Sequence, residues 1–374
     1  MTFLVIPLSQ KEYSQNDFLQ PIFLVDELSK NHFVIGIEKK PNFGTSNTFS
    51  MYLRLIFYYF KVFIYGIKQR KKIDIIYCSY PAYGLIGAII SFMIKIPCIW
   101  DTNEGNLLAH CQLLKTSFLF TWIHLIIEKI VGKISCAILV PSEMDRSLYI
   151  KQNFKYIDKV IVVPYGINLS FIDKTETDKL SLRKKLNINP YKKVLIYTGK
   201  REYLPNKEAA FWINDELAPQ LAQKYDDIQI LILGSGDIPY HVHPIVTFTG
   251  FVPSVYEYIL ASDLCIVPYL LNTGISLKVL DAMACSKPVI TMSVVAELFG
   301  NLVDNENIII AKDRKDFINK TIWALQYPNI IHEIGINARN TVESFYNLES
   351  IAKNIECLLE SCTKNKSKIG EYDD

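Results

Sequence analysis

The sequence predicts an α/β protein of two doubly wound parallel-sheet domains that face each other across a central cleft. Three observations predict it. Short apolar runs alternate with amphipathic stretches; the alternation stops at a polar segment near residue 170 and restarts beyond it; and 374 residues exceed what one hydrophobic core usually supports.

In the first half, apolar runs of strand length occupy residues 3–8, 33–37, 73–78, 98–100, 137–140 and 159–163. Helical stretches lie among them at 21–30, 51–68, 84–95 and 118–133. Strand, helix and strand repeated in this way imply a parallel sheet with helices on both faces. Residues 168–191 are polar and charged, as a linker with a short helix would be. The second half has strand-like runs at 194–198, 229–233, 246–249, 264–267, 288–291 and 308–310, with helices at 207–224, 255–261, 277–284 and 314–326. The expected domains are therefore 1–170 and 171–345, each Rossmann-like. A helix within 346–362 is expected to pack back toward the first domain, and the charged tail 363–374 to be disordered. Ligands of open parallel sheets bind at the carboxyl ends of the strands, so two facing sheets suit transfer of a group from one half to the other. Such a fold equally serves an epimerase or a phosphorylase.

Composition narrows the class. The chain is half hydrophobic and about a fifth charged, as globular proteins are. Its eight cysteines are scattered without a CxxC pair, which points to buried thiols in a reducing, cytoplasmic setting and away from a disulfide or zinc framework. The N-terminus lacks the basic region of a signal peptide, and the longest apolar run, 83–94, is too short to span a membrane. Net charge is +2, but residues 1–170 hold 18 Lys and Arg against 12 Asp and Glu. That asymmetry suits an anionic acceptor or membrane surface and is too weak for nucleic acid. Residues 51–72 combine an apolar face with Lys68, Arg70, Lys71 and Lys72, which reads either as a peripheral membrane helix at the inner face of the cytoplasmic membrane or as a core helix with a solvated basic end.

The richest segment runs from Asn272 to Ile290. A strand ending at Pro268 enters a glycine-containing loop that opens a helix near Ser276. Free N–H groups of Gly274, Ile275 and Ser276 would point at an anion favoured by the helix dipole. Lys278 adds a point charge for a phosphate, and Asp281 can accept hydrogen bonds from a ribose diol.

This segment resembles the donor-site signature of GT-B glycosyltransferases, the retaining group often called family 4. Their pattern is a loop glutamate, seven residues, and a second glutamate in Leu-Glu-Ala-Met-Ala, then small-Gly-Lys-Pro-Val. Leu280-Asp281-Ala282-Met283-Ala284-Cys285-Ser286-Lys287-Pro288-Val289 is similar to its second half. The resemblance continues in Tyr197-Thr198-Gly199-Lys200 with Tyr203-Leu204-Pro205-Asn206, closest to a subgroup with Tyr-x-Pro-Asn. It continues in Leu233-Gly234-Ser235-Gly236-Asp237, in Gly250-Phe251-Val252-Pro253, and in Val163-Pro164-Tyr165-Gly166-Ile167-Asn168 at the domain junction. Together these motifs cover residues 135–355 in order.

The resemblance implies a GT-B fold and a metal-independent glycosyltransferase without cofactor. Its donor is a nucleoside-diphosphate sugar, transferred with retention to a glycan or lipid-linked acceptor in surface polysaccharide or glycoconjugate biosynthesis. It implies donor contacts from Gly199, Gly234, Phe251, Val252, Thr273, Gly274, Ile275, Ser276, Lys278 and Asp281. Lys200 and Lys207 are the candidates for neutralising the departing diphosphate, with Lys278 a substitute and Arg201 a competitor.

Three departures stand out. Thr273 occupies the first glutamate position, Asp281 replaces the second glutamate, and Pro205 falls where a lysine is usual. The first domain resembles the family less: the glycine-rich first loop is missing. The family's Asp-x-His-Glu pattern fits Asp101-Thr102-Asn103-Glu104 with Asn103 for histidine. Asp101, Asn103 and Glu104 would line the cleft, with Asn103 and Glu104 assigned to catalysis and Asp101 to the acceptor; a carboxylate cluster capping a helix is the alternative. Thr273 and Asn103 also motivate a second possibility, a GT-B protein that binds a nucleotide or partner without transferring sugar. His241 and His243 form an H-x-H without a third ligand, so no zinc site is expected.

Overall fold

The computed structural model describes residues 1–8, 27–38, 48–79, 81–102, 118–151, 157–175, 177–270 and 275–369. These form two compact units, Met1–Gly166 with Leu348–Asp374, and Ile167–Asn347.

The first unit holds β1 (Thr2–Leu8), β2 (Phe33–Glu38), β3 (Ile75–Ser79), β4 (Cys98–Asp101), β5 (Ala137–Val140) and β6 (Val160–Val162) in the order β2-β1-β3-β4-β5-β6. Every pairing is parallel. Side chains alternate faces along a strand, and the core divides accordingly. Leu4, Ile6, Ile76, Cys78 and Cys98 pack on Val62, Tyr83 and Ile90, from helices Thr48–Gln69 and Pro81–Ile94. Trp100, Ile138 and Val140 continue that face against Ala88 and Val131. Phe3, Val5, Ile75, Tyr77 and Leu139 face the other way, onto Ile351, Ile355 and Leu359 of helix Leu348–Ile369. Truncating a buried leucine such as Leu359 to alanine costs about 2–5 kcal/mol, so the last helix is part of this core.

The second unit holds β7 (Lys193–Thr198), β8 (Ile228–Leu233), β9 (Val246–Gly250), β10 (Leu264–Val267), β11 (Val289–Met292) and β12 (Ile309–Ala311). Their order is β12-β11-β10-β7-β8-β9, again all parallel. Strand order reverses between β7 and β10, which opens a crevice at the carboxyl ends of those two strands. Asp263 fixes their opposite ends: its Oδ2 accepts from Arg183 Nη2 and from Val194 N–H, each at 2.7 Å.

One expected helix is broken. Residues 207–224 read as one amphipathic stretch, but the chain forms helix Leu204–Trp212, a π turn over Ile213–Leu217 and helix Ala218–Ala222. Pro219 has no N–H and its ring crowds the carbonyl four residues back, so the turn before it widens.

Candidate active site

The crevice between β7 and β10 is built by hydrogen bonds from four side chains. Asn206, 6% exposed, is the hub. Its Nδ2 donates to Lys200 O at 2.6 Å. Its Oδ1 accepts from Lys278 Nζ at 2.8 Å, from Tyr197 OH at 3.3 Å and from Tyr269 OH. Lys278 Nζ also donates to Tyr269 OH and lies 4.6 Å from that ring's centroid. Removal from water pushes Lys278 down to about 7, against the attraction of Asp281. An ammonium held this way gains from an arriving anion what it lacks in solvation.

Three loops close over the same strand ends. Gly199 N–H donates to Leu233 O, Gly234 N–H to Gly250 O, and Arg201 N–H to Ser235 O. Gly234 has φ +117°, and a Cβ there would lie 2.3 Å from Gly199 O, so glycine alone fits. A Cβ on Gly199 would lie 2.8 Å from the Asn206 side chain. Helix Leu277–Ala284 begins at Ser276, whose Oγ is buried without a hydrogen-bond partner among the described residues. Ile275 is buried beside it. A helix start that carries a buried hydroxyl without a described partner is a place where an anion can bind.

One turn along, Asp281 Oδ1 accepts from Tyr256 OH at 2.9 Å. Burial pushes Asp281 up to about 6, opposed by that hydrogen bond and by Lys278. One carboxylate oxygen is thus held by a hydrogen bond. Val252 is buried and Phe251 is 58% exposed, so of this pair only Phe251 presents its side chain to an incoming ring.

The cations sort differently from expectation. Lys207 Nζ is paired with Asp237 Oδ2 at 2.5 Å, above the Phe211 ring. Arg201 is 2% exposed, donates to Asp237 O and Gly236 O, and stacks on Phe248, so it holds the glycine loop. Lys200 is half-buried at the end of β7. Lys278, expected as a phosphate contact and as a substitute for Lys200 and Lys207, is the cation built into the crevice. Thr273 and Gly274 lie outside the described residues.

In the first unit Asp101 ends β4, where its Oδ2 accepts from Tyr77 OH. Ser79 pairs with it in register, and the Ser79 hydroxyl is buried without a partner among the described residues. Asn103 and Glu104 lie outside the described residues. Behind this edge Glu128 is buried, which pushes it up to about 7 against a hydrogen bond with Tyr149. Among the described residues no three His, Cys, Asp or Glu side chains gather as a metal site would need, and His243 Nδ1 accepts from Ile245 N–H.

Asn206, Tyr269 and Tyr256 were missed as site residues. Asn206 sat inside a motif that marked only a subgroup; Tyr269 follows Val267-Pro268 directly; Tyr256 left no signal.

Residues 192–327 match the family model "Glycosyl transferases group 1". The chain is 22% identical over 326 residues to the UDP-Gal:alpha-D-GlcNAc-diphosphoundecaprenol alpha-1,3-galactosyltransferase of Escherichia coli, covering 81% of this chain and 79% of that one. It is 26% identical over 212 residues to the putative teichuronic acid biosynthesis glycosyltransferase TuaC of Bacillus subtilis (strain 168), covering 54% and 51%. Among solved structures it is similar to Anabaena Alr3699/HepE in complex with UDP, with a TM-score of 0.73 at 15% identity over 96% of this chain and 100% of that one. Residues 192–327 are therefore a glycosyl transferases group 1 domain, carried on a chain with the GT-B fold.

Proposed function

We propose that the chain is a retaining, metal-independent glycosyltransferase that moves a sugar from a nucleoside-diphosphate sugar, with UDP the first nucleotide to try. The observation that carries this is the placement of Lys278. It sits desolvated at the strand-order reversal, bonded to Asn206 and Tyr269, one residue inside a helix start with an unpartnered Ser276 hydroxyl. UDP occupies the similar HepE structure, and the two curated relatives are glycosyltransferases.

In this reading the diphosphate lies at Ile275, Ser276 and Lys278, and Asp281 grips the ribose. Lys200 stands by the same strand end. As the glycosidic bond breaks, negative charge grows on the leaving diphosphate, and preorganised N–H groups and the Lys278 ammonium stabilise it without reorganising. The first unit presents the acceptor hydroxyl near Asp101, with Asn103 and Glu104 assisting. A diphosphoundecaprenol-linked acceptor, as the E. coli relative's name specifies, is the acceptor class to test first, at the cytoplasmic membrane face.

A thermal-shift screen with UDP, GDP, ADP, dTDP, CMP and their sugars, on wild type and Asp281→Ala, tests the donor site. Ligand at 100 times its dissociation constant adds about 2.7 kcal/mol of apparent stability. A shift with one nucleotide that Asp281→Ala loses supports the assignment. Turnover with EDTA present, and NMR of the product's anomeric signal, test metal independence and retention. Nucleotide binding without turnover on any acceptor would favour the binding-protein reading that Thr273 motivates.

A further inference from the structure

Tyr256 stands on helix Val255–Ala261 and reaches the carboxylate of Asp281 on helix Leu277–Ala284, 25 residues further along the chain. Its hydroxyl donates to Oδ1 at 2.9 Å, and Oδ2 has no hydrogen-bond partner among the described residues. The ring rests on Phe171, centroids 5.8 Å apart, and Phe171 is 43% exposed. Tyr256 and Asp281 are both half-buried, so the pair lies at the surface of the unit and does not fill its core.

This hydrogen bond has one direction. Burial and the neighbouring carboxylate hold the Tyr256 hydroxyl well above its ordinary value, so it keeps its proton and donates. Asp281 is pushed up to about 6 by burial, opposed first by the Tyr256 hydrogen bond and then by Lys278. Cys265 on β10 and Cys285 at the helix end also face it, and burial pushes both thiols up, so they stay neutral. A phenylalanine would serve the contact with Phe171 equally well. The role of the hydroxyl therefore lies in its bond to Asp281.

We propose that Tyr256 is a positioning residue that makes the donor site demand a ribose: it anchors Asp281 Oδ1 so that Oδ2 is held toward the hydroxyls of the bound nucleotide's sugar. The inference rests on the nucleotide-sugar reading and adds to it the residue that sets selectivity for ribose over deoxyribose. Asp281 stands where the resembling family has glutamate. With two side-chain torsions instead of three, one anchored oxygen fixes the place of the other. A charged acceptor fixed in this way rewards a hydroxyl and is left unpaired without one, which is how a site rejects a deoxy analogue.

The test is calorimetric binding of UDP, GDP and ADP, each beside its 2′-deoxy and 3′-deoxy counterparts, to wild type, Tyr256→Phe and Asp281→Ala across neutral pH. Wild type should bind one of these nucleotides about tenfold or more tighter than at least one of its deoxy counterparts. Tyr256→Phe should weaken the ribonucleotide and leave that deoxy counterpart unchanged, cutting the preference to about threefold or less. Asp281→Ala should abolish it. Unchanged deoxynucleotide binding also reports that the variant's pocket is folded. The pH at which the preference falls is a readout that a merely structural tyrosine would not move. In wild type it should fall as pH drops through about 6, where Asp281 takes up a proton. Without the hydrogen bond that holds it down, Asp281 titrates higher, so in Tyr256→Phe the fall should come at higher pH and alkaline buffer should restore part of the preference. Lys278 acts on both members of a pair, so its titration cancels in the ratio. An unchanged preference with an unchanged pH midpoint in Tyr256→Phe overturns the proposal while the donor site stands, as does a wild type that binds a ribonucleotide and both its deoxy counterparts equally. A wild type that binds none of these nucleotides overturns the donor-site reading and this inference with it.

Discussion

The two units are twelve parallel strands laid out in two orders, and their polar groups are placed accordingly. In the second, the order reverses between β7 and β10, and Asn206, Tyr197, Tyr269 and Lys278 fill the opening with mutual hydrogen bonds. In the first, the reversal lies between β1 and β3, and the buried Ser79 hydroxyl, without a partner among the described residues, lies beside the Tyr77–Asp101 pair. The outward faces differ in the opposite sense. The helices Thr48–Gln69, Pro81–Ile94 and Phe118–Ile134 carry apolar side chains and lysines outward, whereas helix Arg314–Gln326 of the second unit follows the usual rule, with Phe317 and Ala324 buried and Lys315 exposed. One layered plan thus yields a polar pocket in one unit and a sticky exterior in the other, because strand ends and helix exteriors are the two places the plan leaves unspecified.

Breaking the pocket's frame should have the largest effect. Gly234→Ala forces a side chain into φ +117° and onto Gly199 O, and should cost on the order of 3 kcal/mol or more in urea unfolding, with loss of any nucleotide-induced thermal shift. Arg183→Met should cost about 3 kcal/mol, since it leaves Asp263 without its buried partner. Nucleotide affinity of the folded fraction should be unchanged, which separates frame from site.

Lys278→Met should weaken UDP-sugar binding about tenfold to a hundredfold by calorimetry. With Lys278 titrating near 7, wild-type affinity should be strongest below that pH and fall as pH rises through it. The variant should lack the fall in affinity that follows loss of the Lys278 proton. The folding linkage has the opposite sense: the unfolded chain binds the extra proton between about 7 and 10.5, so wild-type stability gains relative to the variant as pH rises through that window.

Ser286→Gly should stabilise by about 0.5–1 kcal/mol, because Ser286 holds φ +55° at the left-handed position just past a helix end. Lys207→Gln should change stability by about 0.5 kcal/mol or less, as its pair with Asp237 is exposed. A large loss of nucleotide affinity in Lys207→Gln would restore that lysine to the site.

Much of the second unit was legible because its elements are set by local pattern. The helices expected over 255–261, 277–284 and 314–326 and the strand expected at 264–267 fall on those residues. Motif order places Gly199 and Gly234 at strand ends and Ser276 at a helix start. What periodicity could not show is the hydrogen bonding of Asn206 to Tyr269 and Lys278, 63 and 72 residues away. Nor could it show that Lys207 pairs with Asp237. In the first unit, Val62, with Tyr59 and Phe63 beside it, packs the apolar face of 51–72 into the core, and nothing in 84–95 or 118–133 marks Phe92 or Trp122 as exposed.

The first unit takes strands from the start of the chain and a core helix, Leu348–Ile369, from its end. On the ribosome that ordering has a consequence. The second unit is complete in sequence by residue 347, while the first still lacks the helix that covers Phe3, Ile75 and Tyr77. The half synthesised first is therefore the half finished last, and its sheet face waits for the final helix through the emergence of the whole second unit.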